Sequence, residues 1–581
     1  MTMSTGTVTG PGAPPDRNLA HSGLRRRNHV SRFERTIRLV WIAVVLLLVG
    51  YPLYQIVARS LVEPGGSVGL GNYGLLGSEP QLLQATLNSL WIAGGTAAGA
   101  LLIALPMAWI LSRTDMPLRG MFRGAAVLTF SAPSFIAALG WVLLLGPNNG
   151  ALNNLLMSVF GLETAPFDIF SPWGIIFVLS LFTYPLILLP VTAALDGIEP
   201  SLEQAAAGLG ASRFRVLRTV TFPVIAPSVI AGTILVFVTS VVIFGPAAIL
   251  GAPTNFQTIP TVLFSLLKFP PRIEAAAVVA VPIMVMIAAL LYVRSKFLRG
   301  RRFTVIGGKP GRRGQIRLGW FRPVALLFCT GVLLLSLVLP FGMLALTSFR
   351  KSIGRPIGGD NWVLWDNYDK VLAQPQFLSA MGNSFLLAAT ATIAALAIAV
   401  MASWLRQRTT SKANSIIPAF MSAPLALPGA ILGIGMIISF AGQPFGLGGT
   451  VFILFIAYTA HALPTCFQYV NAGMGQVGGE VEEASRSLGG SWLRTWRRIT
   501  IPLLTPSLIA AGMLNFVILL RELEMSVFLY TGANPTLATV LFDLANDSLY
   551  QQVGALSVLV LLVNVVVTLA MLRLSRPKAT G

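Results

Sequence analysis

Three ionisable residues stand together in an otherwise apolar stretch: Arg521, Glu522 and Glu524. Charge at membrane depth is costly, so such residues tend to mark a solute pathway or an internal ion pair. If the stretch is helical, Arg521 and Glu524 lie three residues apart and share a face. The pair reading and the pathway reading both stay open. Other chemistry is thinly represented. His461 is alone in an apolar run, which favours a hydrogen bond inside a helix bundle over a ligand role. Cys329 and Cys466 also fall in apolar runs and read as small core residues. No nucleophile–base set and no metal-ligand cluster stands out, which argues against an enzyme. No phosphate-cradling G-x-x-x-x-G-K-[ST] occurs; Gly307-Gly308-Lys309-Pro310-Gly311 lacks both the hydroxyl residue and the spacing.

A second feature is polar and occurs twice, 279 positions apart, at 203–228 and 482–507. Without a gap, Leu209, Gly210, Arg215 and Arg218 match Leu488, Gly489, Arg494 and Arg497. Thr221, Pro223, Pro227 and Ser228 match Thr500, Pro502, Pro506 and Ser507. Ser201 to Gln204 fits a capping box, so a helix should start there. The small residues Ala205, Ala206 and Ala207 then give a helix of little bulk, Leu209 an apolar knob, and Gly210 a turn. Pro223 and Pro227 mark where the next span begins. A polar segment kept in register between apolar spans suits a surface on which another protein docks.

The elements that carry these residues follow from hydropathy. The chain has 581 residues, 55% hydrophobic and 11% charged, with mean hydropathy +0.75. Soluble domains carry roughly a quarter charged residues. About twelve apolar runs reach the ~20 residues a bilayer requires. They lie near 36–59, 88–112, 122–146, 172–195, 224–250 and 274–298, then near 321–347, 384–405, 414–440, 448–471, 503–529 and 552–574. Backbone in lipid must satisfy itself, so an all-α polytopic membrane protein is expected. The net charge of +20 is explained by topology rather than nucleic acid. With the N-terminus inside, 33 of the 41 Lys and Arg fall in cytoplasmic segments or their edges, seven outside, and Arg521 within a span. Both termini are therefore expected in the cytoplasm.

The two halves match beyond the docking segment. Asn72-Tyr73 and Asn88-Ser89 match Asn367-Tyr368 and Asn383-Ser384, and Ser131-Ala132-Pro133 matches Ser422-Ala423-Pro424. Six spans per half makes the repeats parallel. The expected layout is a disordered cytoplasmic tail at 1–35, a first repeat at 36–298, a basic cytoplasmic linker at 299–320 and a second repeat at 321–575.

At the docking segments the chain resembles binding-protein-dependent ABC importer permeases, whose EAA loop reads Glu-Ala-Ala, three residues, Gly, nine residues, Ile-x-Leu-Pro. The second copy has Glu483-Ala484-Ser485, Gly489 and Ile499-Thr500-Ile501-Pro502. The first has Gln204-Ala205-Ala206, Gly210 and Val220-Thr221-Phe222-Pro223. Gln204 and Ser485 depart from the pattern. The resemblance implies two parallel six-helix repeats of the type I importer permease kind. It also implies that the residues around the motif, Glu203 to Ala206 with Leu209 and Gly210, and Glu482 to Ser485 with Leu488 and Gly489, couple to two copies of a cytoplasmic ATPase. ATP and Mg would be bound by that ATPase, with no cofactor in this chain. It further implies an extracytoplasmic substrate-binding protein, a bacterial inner or plasma membrane setting in contact with lipid, and transport by alternating access. The fused two-repeat form resembles the ferric iron, thiamine and phosphonate subgroup, which favours ferric iron over a small organic ion such as a polyamine or aromatic acid. A secondary transporter is the minor alternative.

Overall fold

The computed structural model describes residues 32–63, 65–198, 206, 208–268, 270–298, 316–355, 358–409 and 411–574. Ten helices are long and apolar enough to cross a membrane, or twelve spans if two sharply bent helix pairs each count as one. The first repeat holds α1 (Arg35–Leu61), α2 (Pro80–Arg113), the pair α3 (Arg119–Ser131) and α4 (Ser134–Leu145), α5 (Pro172–Asp196), α6 (Phe214–Val242) and α7 (Ile273–Phe297). The second holds α8 (Gly319–Ser348), α9 (Pro375–Arg408), the pair α10 (Ile417–Leu425) and α11 (Gly429–Ala441), α12 (Val451–Gln476), α13 (Trp492–Leu520) and α14 (Tyr550–Leu574). The expected all-α polytopic class holds.

Proline shapes four spans in the same way. A π turn covers 46–50, 217–221, 334–338 and 496–500, and each stands just before an in-span proline: Pro52, Pro223, Pro340 and Pro502. The ring of a helical proline clashes with the carbonyl four residues back. In all four cases that carbonyl lies inside the π turn, whose extra residue opens the ladder there. Pro223 and Pro502 therefore do not open their spans, as the sequence suggested. The helices begin at Phe214 and Trp492 and run through them.

The bent pairs turn by 98° between α3 and α4 and by 103° between α10 and α11. The first break falls at Ala132-Pro133. The second comes later than its matched Ser422-Ala423-Pro424: the chain continues through Ala423–Ala426 as a 3-10 turn and bends at Leu427-Pro428.

Repetition is visible in side-chain detail at the other end of the bundle. Asn72 donates to the carbonyls of Ser60 and Val62, and Asn367 to those of Ser348 and Arg350. Tyr73 bonds Ser60 as Tyr368 bonds Ser348. Ser89 and Ser384 each accept a backbone N–H at 2.8 Å, from Ile259 and Leu537.

The opening span of each repeat packs into the core of the other. Trp41, Val45, Val49 and Ile56 of α1 join a core in which α9 to α12 pack with α2, α6 and α7. Ala325, Cys329 and Val332 of α8 join the core of α2, α3, α5 and α6. Gly140 and Gly435, each seven residues past the proline at its break, permit the close approach. A Cβ on Gly140 would stand 2.3 Å from the Pro340 carbonyl oxygen, and one on Gly435 would stand 2.9 Å from Ile56. The sequence division at 36–298 and 321–575 is thus not a division of the packed bundle. Both cysteines are buried and free.

Candidate functional site

The docking segments form matching turns. In the second, the helix Gly479–Ser487 ends where Gly490 donates to the Ser485 carbonyl at 2.8 Å and Leu488 to that of Ala484 at 3.1 Å. Gly489 sits at φ +81°, a conformation that disfavours any side chain. In the first, Ala211 donates to the Ala206 carbonyl at 3.1 Å and Gly210 sits at φ +82°. Both turns push a leucine into the open: Leu209 is 90% exposed and Leu488 89%. Glu203, Gln204 and Ala205, with the capping box from Ser201, lie outside the described residues.

One face of the second segment is held and the other is exposed. Glu482 is buried, pairs with Arg408 at 3.3 Å and accepts from Thr500 at 3.2 Å. Ser485, the departure from the usual Ala, bonds Thr495 at 2.8 Å. Glu483, Ala484 and Leu488 face outward. Sequence reasoning missed Arg408. The available signal was positional: Arg113 and Arg408 end helices of 34 residues each, 295 positions apart.

The intramembrane charges have a different environment from the one expected. They are not on a helix face, because α13 stops at Leu520 and the chain turns through Arg521–Met525 before the short helix Ser526–Leu529. Of the two readings left open, the pair is not seen: among the described residues no ion pair joins Arg521 and Glu524. Arg521 instead reaches the first repeat and donates Nη1 to the carbonyls of Phe130 at 2.6 Å and Ala132 at 2.9 Å. Those carbonyls border the α3–α4 break and have lost their helical donors. Glu522 turns back on its own loop. Its carboxylate accepts from the Met525 and Ser526 N–H groups and from the Ser526 hydroxyl, at 3.0 to 3.2 Å.

Glu524 has no such partner. It lines a cavity of about 300 Å³ between the repeats, along with Phe130, Ser134, Thr239, His461 and Arg521. His461 also corrects an expectation. It makes no hydrogen bond among the described residues and faces this cavity rather than being tied into the bundle. No group of three or more His, Cys, Asp or Glu residues among the described residues is placed to hold a metal ion.

A spanning bundle of two matched repeats, each with an outward leucine–glycine turn beside a proline-marked span, narrows the relatives sharply. The family model of the binding-protein-dependent transport system inner membrane component matches this chain twice, at 100–305 and 394–579. The chain belongs to that family. As a permease of this kind it is a multi-pass inner membrane protein and a transport subunit. It is 26% identical over 522 residues to a probable ABC transporter permease of Sinorhizobium fredii, covering 87% of this chain and 89% of the relative. It is 24% identical over 524 residues to a ferric-iron transport system permease of Haemophilus influenzae, covering 88% and 93%. A putative 2-aminoethylphosphonate permease of Salmonella typhimurium is 34% identical over 234 residues, only 39% of this chain but 80% of that relative. The permease turns thus lie on the family's two repeats, and the cavity lies between them.

Proposed function

We propose that this permease is the membrane subunit of an ATP-driven importer that takes ferric iron from an extracytoplasmic binding protein. Two copies of a cytoplasmic ATPase dock on the two exposed turns, and ATP and Mg bind there rather than in this chain. Both termini face the cytoplasm in this reading, which the distribution of basic residues supports. The observation that carries the docking reading is the pair of matched turns, with Leu209 and Leu488 projecting and Gly210 and Gly489 at the same positive φ. Both leucines are left almost fully exposed.

Iron is favoured by likeness over most of the chain to ferric permeases and by the lining of the cavity. Two carboxylates, Glu522 and Glu524, stand there against one guanidinium, Arg521, with the His461 imidazole beside them. That surface suits a cation. With no three-ligand cluster among the described residues, the ion would be handed through rather than chelated, which fits a channel that must release its cargo. A phosphonate is the second reading, favoured by the higher identity to the phosphonate permease over a shorter stretch. Uptake of radiolabelled ferric iron and of 2-aminoethylphosphonate, compared in cells with and without this gene, decides between them. Iron uptake that ignores the gene removes the ferric reading. A purified chain that hydrolyses ATP alone, or recovers no ATPase subunit, removes the importer mechanism.

A further inference from the structure

Three membrane helices meet the second docking helix at a single carboxylate. Glu482 is 2% exposed, although Gly479–Ser487 is a polar helix at the end of the bundle. Its Oε1 accepts from Arg408 Nε at 3.3 Å and from Thr500 Oγ1 at 3.2 Å. Arg408 is the last residue of α9, and its Nη2 also donates to the Met474 carbonyl at 3.3 Å and to that of Val477, at the end of α12. Thr500 closes the π turn of α13. One guanidinium and one hydroxyl therefore tie α9, α12 and α13 to a group carried by the docking helix. Glu483 and Leu488, by contrast, are exposed.

We infer that the Arg408–Glu482 pair is the joint that transmits ATPase movement to the second repeat, with Arg408 as a positioning residue rather than a docking one. This rests on the reading of the exposed turns as ATPase docking surfaces. A docking helix attached only through its flanking loops can tilt while the spans stay still. A buried ion pair whose guanidinium also bonds two carbonyls resists that tilt, because separating it leaves charge unpaired in a buried site. Displacement of the helix then moves three spans together. The local backbone also matters: the π turn at 496–500 places Thr500 toward Glu482 at the point where α13 is least regular. The first repeat has the same residue types in place. Arg113 ends α2, 295 positions before Arg408, and Thr221 closes a π turn, 279 before Thr500. Their sequence counterpart of Glu482 is Glu203, outside the described residues.

The test needs no knowledge of the cargo. Nitroxide labels go at Val68 and Leu364, both exposed in the loops that follow α1 and α8. The permease is placed in lipid nanodiscs with its ATPase, and label-to-label distances are taken by pulsed electron paramagnetic resonance before and after trapping with ATP and vanadate. Wild type shows a distance shift on trapping. In Arg408→Ala and in Glu482→Gln, trapped nucleotide stays within about twofold of wild type while the shift shrinks by about half or more, since the first-repeat loop still couples. Arg408→Lys recovers much of it. A nitroxide at Leu488, read on the permease alone, gains mobility in Arg408→Ala but not in Arg408→Lys. A full shift in both Arg408→Ala and Glu482→Gln overturns the joint. Equal loss of the complex in Arg408→Ala and Arg408→Lys also overturns it, by assigning Arg408 to folding alone. Wild type that retains no ATPase overturns the docking reading itself, a result distinct from either.

Discussion

The spans α6 and α13 are repeats of each other and both stop at the same place, yet the two breaks carry opposite chemistry. After α6 the chain passes through Ile243 and Phe244 into the short helix Gly245–Gly251. After α13 it passes through Arg521 to Met525 into Ser526–Leu529. At the first break Phe244 is fully buried and stacks edge-on with Phe264 at 5.2 Å and Phe528 at 6.0 Å. At the second, Arg521 bonds the carbonyls of the other repeat and Glu522 caps its own turn. The first break is thus an internal control. An interrupted span at this position can be made without any charge, so breaking the helix is not why the charges are there. Arg521 and Glu522 each have a local use in holding backbone. Glu524 has none, and its match in the first repeat is Gly245, which faces Phe135 with no room for a Cβ.

That contrast can be pressed from several sides. The largest effect is expected at Glu522. Glu522→Ala strips the acceptor from two buried N–H groups and a hydroxyl, for a loss of about 2–4 kcal/mol. The matched Ile243→Val should cost about 1 kcal/mol. Recovery of monodisperse protein in detergent, with a thermal melt, measures both; equal costs would erase the distinction between a charged cap and apolar packing.

Glu524→Gln comes next and should separate stability from transport. Protein level stays at wild type, while uptake falls about tenfold, the size expected when a favourable charge contact of ~1.4 kcal/mol is removed. In the first repeat the balance reverses. Gly245→Ala forces a Cβ to within 2.4 Å of the Phe135 Cβ and should lower stability by about 1–3 kcal/mol. Full uptake in Glu524→Gln would sink the pathway role.

A finer test asks whether Arg521 and Glu524 are coupled. They line one cavity and feel each other's charge although no ion pair joins them, so the stability of the double variant Arg521→Gln with Glu524→Gln should depart from the sum of the single changes by about 0.5 kcal/mol or more. Strict additivity would deny the coupling. The smallest effects belong to the docking turns. Gly210→Ala and Gly489→Ala each place a side chain at positive φ, at about 1 kcal/mol. The second turn is expected to be the more sensitive in transport, because Glu483 is present there and Gln204 replaces it in the first. A Gly489→Trp chain that transports as wild type would deny the docking role altogether.

Much of this was legible beforehand because it is local. Apolar length gave the spans, and matched spacing gave the repeats. Gly210 and Gly489 announced a positive-φ turn because little else tolerates one. The break after α13 was missed because Leu519, Leu520 and Leu523 keep the stretch looking like a continuous apolar helix, and Glu522, which caps the turn, read as one of a cluster of intramembrane charges. His461 was misjudged for a related reason: hydropathy says that a residue is within a span, not whether it faces a neighbour or a lumen.

The sequence by itself determined an all-helical membrane chain of two parallel repeats, with a matched polar motif in each, since hydrophobic length and residue spacing are carried by the chain alone. Only the tertiary structure decided that α1 and α8 each reach into a core of the other repeat. It also decided that Arg521 serves carbonyls 391 and 389 positions away, and that Arg408 meets Glu482. Where a guanidinium finds its acceptor depends on which carbonyls a break has left without donors and on which helix ends packing brings together. Neither is written in the spacing of any one segment.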